Sequence, residues 1–147
     1  MTALYRDIVL AHHRSPRRYG ELAQPSHASE GVNALCGDSL HIELCVDAQG
    51  RIREYAFRGE CCAIATATAS MLGEAVQGLS AAEVAPLQQA FAALIAGQQP
   101  VLALGELAAL AELARYPARR KCALLPWATL AAALGGQAQT TTEKDTA

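Results

Sequence analysis

The sequence has no apolar stretch of about 18 residues or more that is free of charge and glycine, which excludes a membrane-spanning helix. Its first residues, Met1-Thr2-Ala3-Leu4-Tyr5-Arg6-Asp7, lack a basic start followed by an unbroken apolar run. No secretory signal is read there, and the chain is expected to be cytoplasmic. An excess of charge is missing too: the formal net charge is -2 and no Lys/Arg block is long enough to form a patch. Neither nucleic acid nor a membrane is therefore implied as a partner. The five cysteines are an odd number, and cytosolic thiols stay reduced, so a disulfide framework is not expected. Their clustering reads as metal binding or sulfur chemistry.

What is present is enough for one globular domain. At 147 residues, 52% hydrophobic and 18% charged, the chain can bury a real core without staples. Its organising stretch is Leu35-Cys36-Gly37-Asp38-Ser39, where a thiol, a flexible residue and a carboxylate fall together. Gly37 can take backbone angles closed to other residues, so the chain can fold back and aim Cys36 and Asp38 at one point. Two further places offer thiols: Cys61-Cys62, opening an Ala/Thr/Ser run, and Cys122, behind Arg119-Arg120-Lys121. Three thiolates and one carboxylate complete the four-coordinate shell that zinc favours, and this is an uncommon set for a purely structural zinc.

The spacing predicts a first helix from a cap at Thr2 to Ser15-Pro16, with Leu4, Ile8, Ala11 and His12 on one stripe. Arg17 to Asn33 reads as loop with at most one edge strand. Ser39 to Val46 alternates cleanly, with Leu40, Ile42, Leu44 and Val46 on one face and His41, Glu43 and Cys45 on the other. A turn at Asp47-Ala48-Gln49-Gly50 returns the chain as Arg51 to Phe57, where Tyr55 and Phe57 share a face. This hairpin has one wet side, and only helices remain to cover the other. Cys62 to Gln77 carries the apolar stripe Ile64, Thr68, Leu72, Ala75 and Val76, with Gly78 as its stop. Cys62 thus lies at a helix start, where amide donors favour a thiolate.

Ser80-Ala81-Ala82-Glu83 fits a capping box, and Pro86 is expected to split the helix that follows. Leu107, Leu110 and Leu113 carry a helical period to Tyr116. Pro117 opens a last helix through Cys122 and Trp127 to about Leu134, with a kink or break predicted at Pro126. Residues 1–134 read as a single domain and 135–147 as a disordered tail. The fold class is α+β: a small antiparallel sheet with helices packed on one face and the metal site at one end of the sheet.

Cys36-Gly37-Asp38, then Cys62, then Cys122 make a specific pattern that resembles the U-type iron-sulfur cluster assembly proteins, the IscU/SufU (NifU N-terminal-like) family. Further matching pieces are Leu4-Tyr5, His12, Pro16-Arg17, Gly20, Phe57, Gly59, Ala69-Ser70-Met71, Leu104-Gly105 and Tyr116-Pro117-Ala118-Arg119. Within the family the chain looks like the zinc-dependent SufU branch: Lys121 stands where the IscU scaffold branch has His, and Leu87 to Leu107 leaves room for the extra SufU segment.

The resemblance implies a zinc ion held by Cys36, Asp38, Cys62 and Cys122. It implies a sulfurtransferase-type role, with Cys36 receiving persulfide sulfur from a SufS-type cysteine desulfurase and downstream iron-sulfur assembly proteins as further partners. Arg119, one helical turn before Cys122, is expected to pair with Asp38 or to support a loosened thiolate. His12 is expected to help a partner dock; His13, His27 and His41 are expected to face solvent. Cys45 is given no role. The rival readings are a scaffold carrying a 2Fe-2S cluster on the same thiolates, and a binding module with a purely structural zinc.

Three features depart from the family pattern. Cys61 occupies a usual Gly position; alpha carbons about 3.8 Å apart are too close for an unstrained disulfide between neighbours, and the ligand is assigned to Cys62. The others are Pro126, and Asn33-Ala34-Leu35 in place of an Asn-Pro start.

Overall fold

A computed structural model of the chain describes residues 2–142. Helix α1 (Ala3–Arg14) starts where expected, with the Thr2 hydroxyl accepting from the Tyr5 N–H at 3.2 Å. Its buried stripe is Tyr5, Val9 and His12, while Leu4 is 64% exposed. The helix is therefore turned by about one residue, roughly 100°, from the expected stripe, and it buries the large Tyr5 ring in place of Leu4.

Strands β1 (His27–Asn33), β2 (Asp38–Val46) and β3 (Ile52–Glu60) form an antiparallel meander. A fourth strand, β4 (Gln139–Thr141), pairs in parallel with β1 and gives the order β3-β2-β1-β4. Two expectations are corrected here. The strand expected at an edge is internal, and part of the stretch expected to be disordered beyond Leu134 is a strand; residues 143–147 of that stretch lie outside the described residues. The physical reason is that β1 offers a row of backbone donors and acceptors that any extended segment can satisfy. Glu30 N–H donates to the Ala138 carbonyl at 2.8 Å, and the Thr141 hydroxyl donates to the Val32 carbonyl at 2.7 Å.

The inner face of the sheet holds Leu40, Ile42, Leu44, Tyr55 and Phe57, all buried, as the alternation predicts. The outer face is less wet than expected. The segment after α1 lies over it, so that Leu22 N–H donates to the Glu43 carboxylate at 2.8 Å and Glu43 is buried. His41 is half-buried between Glu30 and Glu43, and His27 is half-buried too; only His13 faces solvent as expected.

Helix α2 (Ala63–Ala75) packs Ile64, Thr68 and Leu72 into the core. Helix α3 (Ala81–Ile95) has the capping box of Ser80 and Glu83 and runs through Pro86 without the expected split. Helix α4 (Pro117–Leu134) likewise runs unbroken through Pro126. Each proline removes one helical hydrogen bond, but buried side chains lie on both sides of it: Val84 and Phe91 around Pro86, Leu125 and Trp127 around Pro126. Core packing outweighs the local rule, and the Phe91 and Trp127 rings stack at 5.4 Å to join the two helices.

Between α3 and α4, Gly105–Arg115 is a 3-10 helix that buries Leu107, Leu110 and Leu113. Their constant spacing of three matches three residues per turn. Helix α4 also crosses β1 closely, because Gly31 has no side chain: a Cβ there would lie 1.9 Å from the Thr129 hydroxyl oxygen.

Candidate metal centre

The turn between β1 and β2 projects Cys36 from the end of the sheet. Cys36 N–H donates to the Asn33 carbonyl and Gly37 N–H to the Ala34 carbonyl, each at 3.2 Å, and Gly37 takes a φ of 71°. Cys36 is exposed there, beside Leu35 at 79% exposure. Asp38 opens β2 and is 1% exposed. Its carboxylate accepts the Cys62 N–H at 2.8 Å, which fixes the start of α2 against the sheet. Cys62 caps α2, its Sγ accepting from the Ala65 N–H at 3.4 Å, and it lies 3.7 Å from the second Asp38 oxygen. Cys122 reaches the same place from the second turn of α4 and is 4% exposed.

The ligand atoms of Cys36, Asp38 and Cys122 lie within 4.8 Å of one another. A tetrahedral zinc separates its ligand atoms by roughly 3.3–3.8 Å, so this trio is close to what a cation would gather. Cys62 is not one of the three but adjoins the cluster: its thiol donates to Asp38 Oδ2 at 3.7 Å, and its ionisation is linked to that of Cys122. The donor set suits zinc: soft thiolates with one carboxylate, at a point where the buried Asp38 carboxylate and the buried Cys122 thiol come close together.

Proton sharing within the cluster is uneven. The hydrogen bond from Cys122 is the largest influence on Cys62, and with the amides of Ala65 and Ile64 it lowers the Cys62 pKa to about 7 against burial and the Asp38 charge. Cys122 is pushed up, first by its hydrogen bond to Cys62, then by burial and by Cys36. Of the two thiols, Cys62 is the one whose ionised form the cluster favours and Cys122 the one it disfavours, and a cation bound here would displace protons from them.

Cys61 turns the other way. Its Sγ points to the Ser39 carbonyl at 3.4 Å, and burial, followed by the Asp38 and Cys62 charges, raises its pKa to about 12. Cys45 lies on the outer face of β2 against the Gln24 carbonyl, remote from the cluster.

Of the two roles expected for Arg119, the pairing with Asp38 is not found, while Arg119 does line a cavity beside the thiols. Its guanidinium lies 5.5 Å over the Tyr116 ring and beside the buried Tyr5 hydroxyl, without a well-formed hydrogen bond to it, and it forms no ion pair with Asp38. One helical turn of spacing sets the height of Arg119 relative to Cys122 but not the direction of its long side chain. His12 is corrected as well. At 3% exposure it has no surface for a partner; it ties α1 to α2 through Ser70 at 2.6 Å and to the 3-10 helix through Glu106 at 3.1 Å.

A cavity of about 530 Å³ opens beside the cluster, with Cys36, Cys62 and Cys122 on one side and α1 on the other. The part played by α1 was not read from the sequence. The signal for it was the Tyr5 and Val9 pair at helical spacing, hidden by the neighbouring stripe.

Residues 4–123 match the NifU-like N terminal domain. The chain is 33% identical over 133 residues to the zinc-dependent sulfurtransferase SufU of Bacillus subtilis, covering 88% of each chain. It is 35% identical over 133 residues to the iron-sulfur cluster assembly scaffold protein IscU of Streptococcus pyogenes, covering 89% of this chain and 82% of that one. Among solved structures, FiSufU from Fervidobacterium Islandicum AW-1 superposes with a TM-score of 0.82 at 26% identity, over 89% of this chain and 96% of the other. With the cysteines and aspartate of the pattern gathered at one end of the sheet, these likenesses show that the chain belongs to the NifU-like N-terminal domain family, the family of SufU and IscU.

Proposed function

We propose that this protein works in iron-sulfur cluster assembly as a zinc-dependent sulfur acceptor, taking persulfide sulfur at Cys36 from a SufS-type cysteine desulfurase. The observation that carries the reading is the contrast within one cluster: Asp38 and Cys122 are buried anchors, while Cys36 sits exposed on a glycine-hinged turn. Cys36, Asp38, Cys62 and Cys122 would hold the zinc, which has no redox chemistry and keeps thiolates deprotonated without oxidising them.

Against that background each residue has a task. Asp38, fixed by the Cys62 amide, keeps the β2 and α2 ends of the site together. Cys36, exposed on its glycine-hinged turn, is the thiol of the set freest to move towards a partner. Its thiolate attacks the outer sulfur of the partner's persulfide, a new S–S bond forms at Cys36, and the partner cysteine departs as thiolate. Arg119 supports this at longer range than a direct pair with Asp38, through its positive charge on the cavity that the thiols line. Lys121, in place of the His of the scaffold branch, favours the sulfur-carrier reading over the scaffold one.

The scaffold reading keeps a specific observation in its favour, the 35% identity to an IscU. Metal analysis and a desulfurase assay separate the possibilities. The expected result is a colourless protein with about one zinc per chain, stimulating a SufS-type desulfurase, with stimulation lost in a folded Cys36→Ser variant. Iron with visible absorbance would favour the scaffold. Undiminished stimulation by Cys36→Ser would reject Cys36 as acceptor, and no stimulation by the zinc-loaded wild type would leave a binding module with structural zinc.

A further inference from the structure

The cavity beside the thiols has the volume of a small-molecule site, about 530 Å³. Val9, Leu10 and Ile64 give it apolar walls, and Arg6 and Arg119, both exposed, stand at its edge. Among the described residues the ion-pair partner of Arg6 is the neighbouring Asp7, 3.8 Å away and largely exposed, a weak partner. Arg119 forms no ion pair among the described residues and rests on the Tyr116 ring. An apolar pocket with a reactive thiol on one side and an uncompensated guanidinium at its rim is complementary to a short aliphatic chain with sulfur at one end and an anion at the other.

We infer that this cavity binds a small aliphatic thiol bearing a carboxylate and lets it exchange sulfane sulfur with Cys36. The biological use of the exchange rests on the sulfur-acceptor reading above, whereas the binding and the exchange itself stand on the cavity and on Cys36. In the exchange the ligand thiolate attacks the outer sulfur of the Cys36 persulfide. The bond between that sulfur and Cys36 breaks, a new S–S bond forms on the ligand, and Cys36 leaves as thiolate. The outer sulfur keeps its proton, and one persulfide replaces another with no net oxidation or reduction. Run in reverse, the same step loads Cys36 from a small persulfide.

The test uses the zinc-loaded 147-residue chain. Binding of 3-(methylthio)propionate, which has the chain and carboxylate but no thiol, is followed by saturation-transfer NMR against its neutral alcohol analogue. Cys36 is then loaded with inorganic polysulfide, and its discharge by 3-mercaptopropionate and by 2-mercaptoethanol is followed by mass spectrometry. The carboxylate ligand should bind selectively, and discharge by 3-mercaptopropionate should saturate. Its advantage over 2-mercaptoethanol should fall about tenfold in Arg119→Gln and be largely kept in Arg119→Lys. Ala118→Leu, at an exposed position lining the cavity, leaves the charge in place but fills the space, and should weaken binding as much.

Equal binding of the neutral analogue, or binding indifferent to both Arg119→Gln and Ala118→Leu, would overturn the site. Selective binding without discharge of loaded Cys36 would overturn the exchange. Discharge as expected, with no loading by any desulfurase, would instead reject the function proposed above and leave this inference standing.

Discussion

Replacing Gly31 by alanine tests the contact that sets α4, and with it Cys122, against the sheet. A Cβ at residue 31 would meet the Thr129 hydroxyl oxygen at 1.9 Å, whereas real Cβ atoms keep at least about 3.0 Å, so something must move by about 1.1 Å. The hydroxyl has no easy retreat: Thr129 is fully buried, and its Oγ1 donates to the Leu125 carbonyl at 2.7 Å. Leu125 crowds the same spot, its Cδ1 3.1 Å from the added atom. Overpacking of this kind costs about 1–3 kcal/mol. For a chain of this size, a loss of about 2 kcal/mol lowers Tm by roughly 4–8 °C. Chemical denaturation of the wild type, Gly31→Ala and Gly31→Ala/Thr129→Ala measures it. The double variant removes the clashing oxygen and should recover part of the loss. Because β1 leads into the Cys36 turn and α4 carries Cys122, Gly31→Ala should also bind zinc more weakly than the wild type. A Gly31→Ala protein within about 0.5 kcal/mol of wild type, the ordinary scatter for surface changes, would refute the close approach of α4 to β1.

The Glu43 carboxylate is held below the ordinary range, chiefly by the Leu22 amide and with help from His41 and Arg58. A depressed folded-state pKa contributes stability above the unfolded value that is lost as the pH falls through the folded one. Glu43→Gln should therefore cost about 1 kcal/mol at neutral pH, and the gap should narrow below pH 4.5, the ordinary value for this group; an equal gap at neutral and acid pH, in urea titrations at each, would contradict this. Cys61→Ala should keep its zinc, because the Cys61 sulfur points to the Ser39 carbonyl rather than into the cluster. Loss of metal from that variant, by elemental analysis, would move the ligand assignment from Cys62 to Cys61.

Where local chemistry decides, the sequence was readable. The Thr2 and Ser80 caps, the inward-facing Leu40, Ile42 and Leu44 and the glycine between Cys36 and Asp38 each act over a few residues, and the structure has them as read. Where a distant surface decides, local rules gave the wrong answer. Pro86 and Pro126 break helices in isolation, but here each is flanked by side chains the core needs. Strands β1 and β4 are polar and hold glycine or threonine, so no apolar period announces them; β4 exists because β1 has an edge to be paired. Leu107, Leu110 and Leu113 carried their answer in the interval of three, which a 3-10 helix satisfies better than an α-helix.

The site divides in the same way. Residue types and the Cys36-Gly37-Asp38 spacing pointed to the donors, and the fold gathers Cys36, Asp38 and Cys122 with Cys62 alongside. The direction of the Arg119 side chain and the burial of His12 depend on α1 and the 3-10 helix, which no local pattern connects to the thiols.

Zinc K-edge X-ray absorption of the 147-residue chain bears most directly on the proposed four-ligand centre. Three sulfur scatterers at about 2.3 Å and one oxygen at about 2.0 Å are expected. A shell of four sulfurs, or one dominated by nitrogen and oxygen, would contradict the grouping of Cys36, Asp38, Cys62 and Cys122 around a single ion.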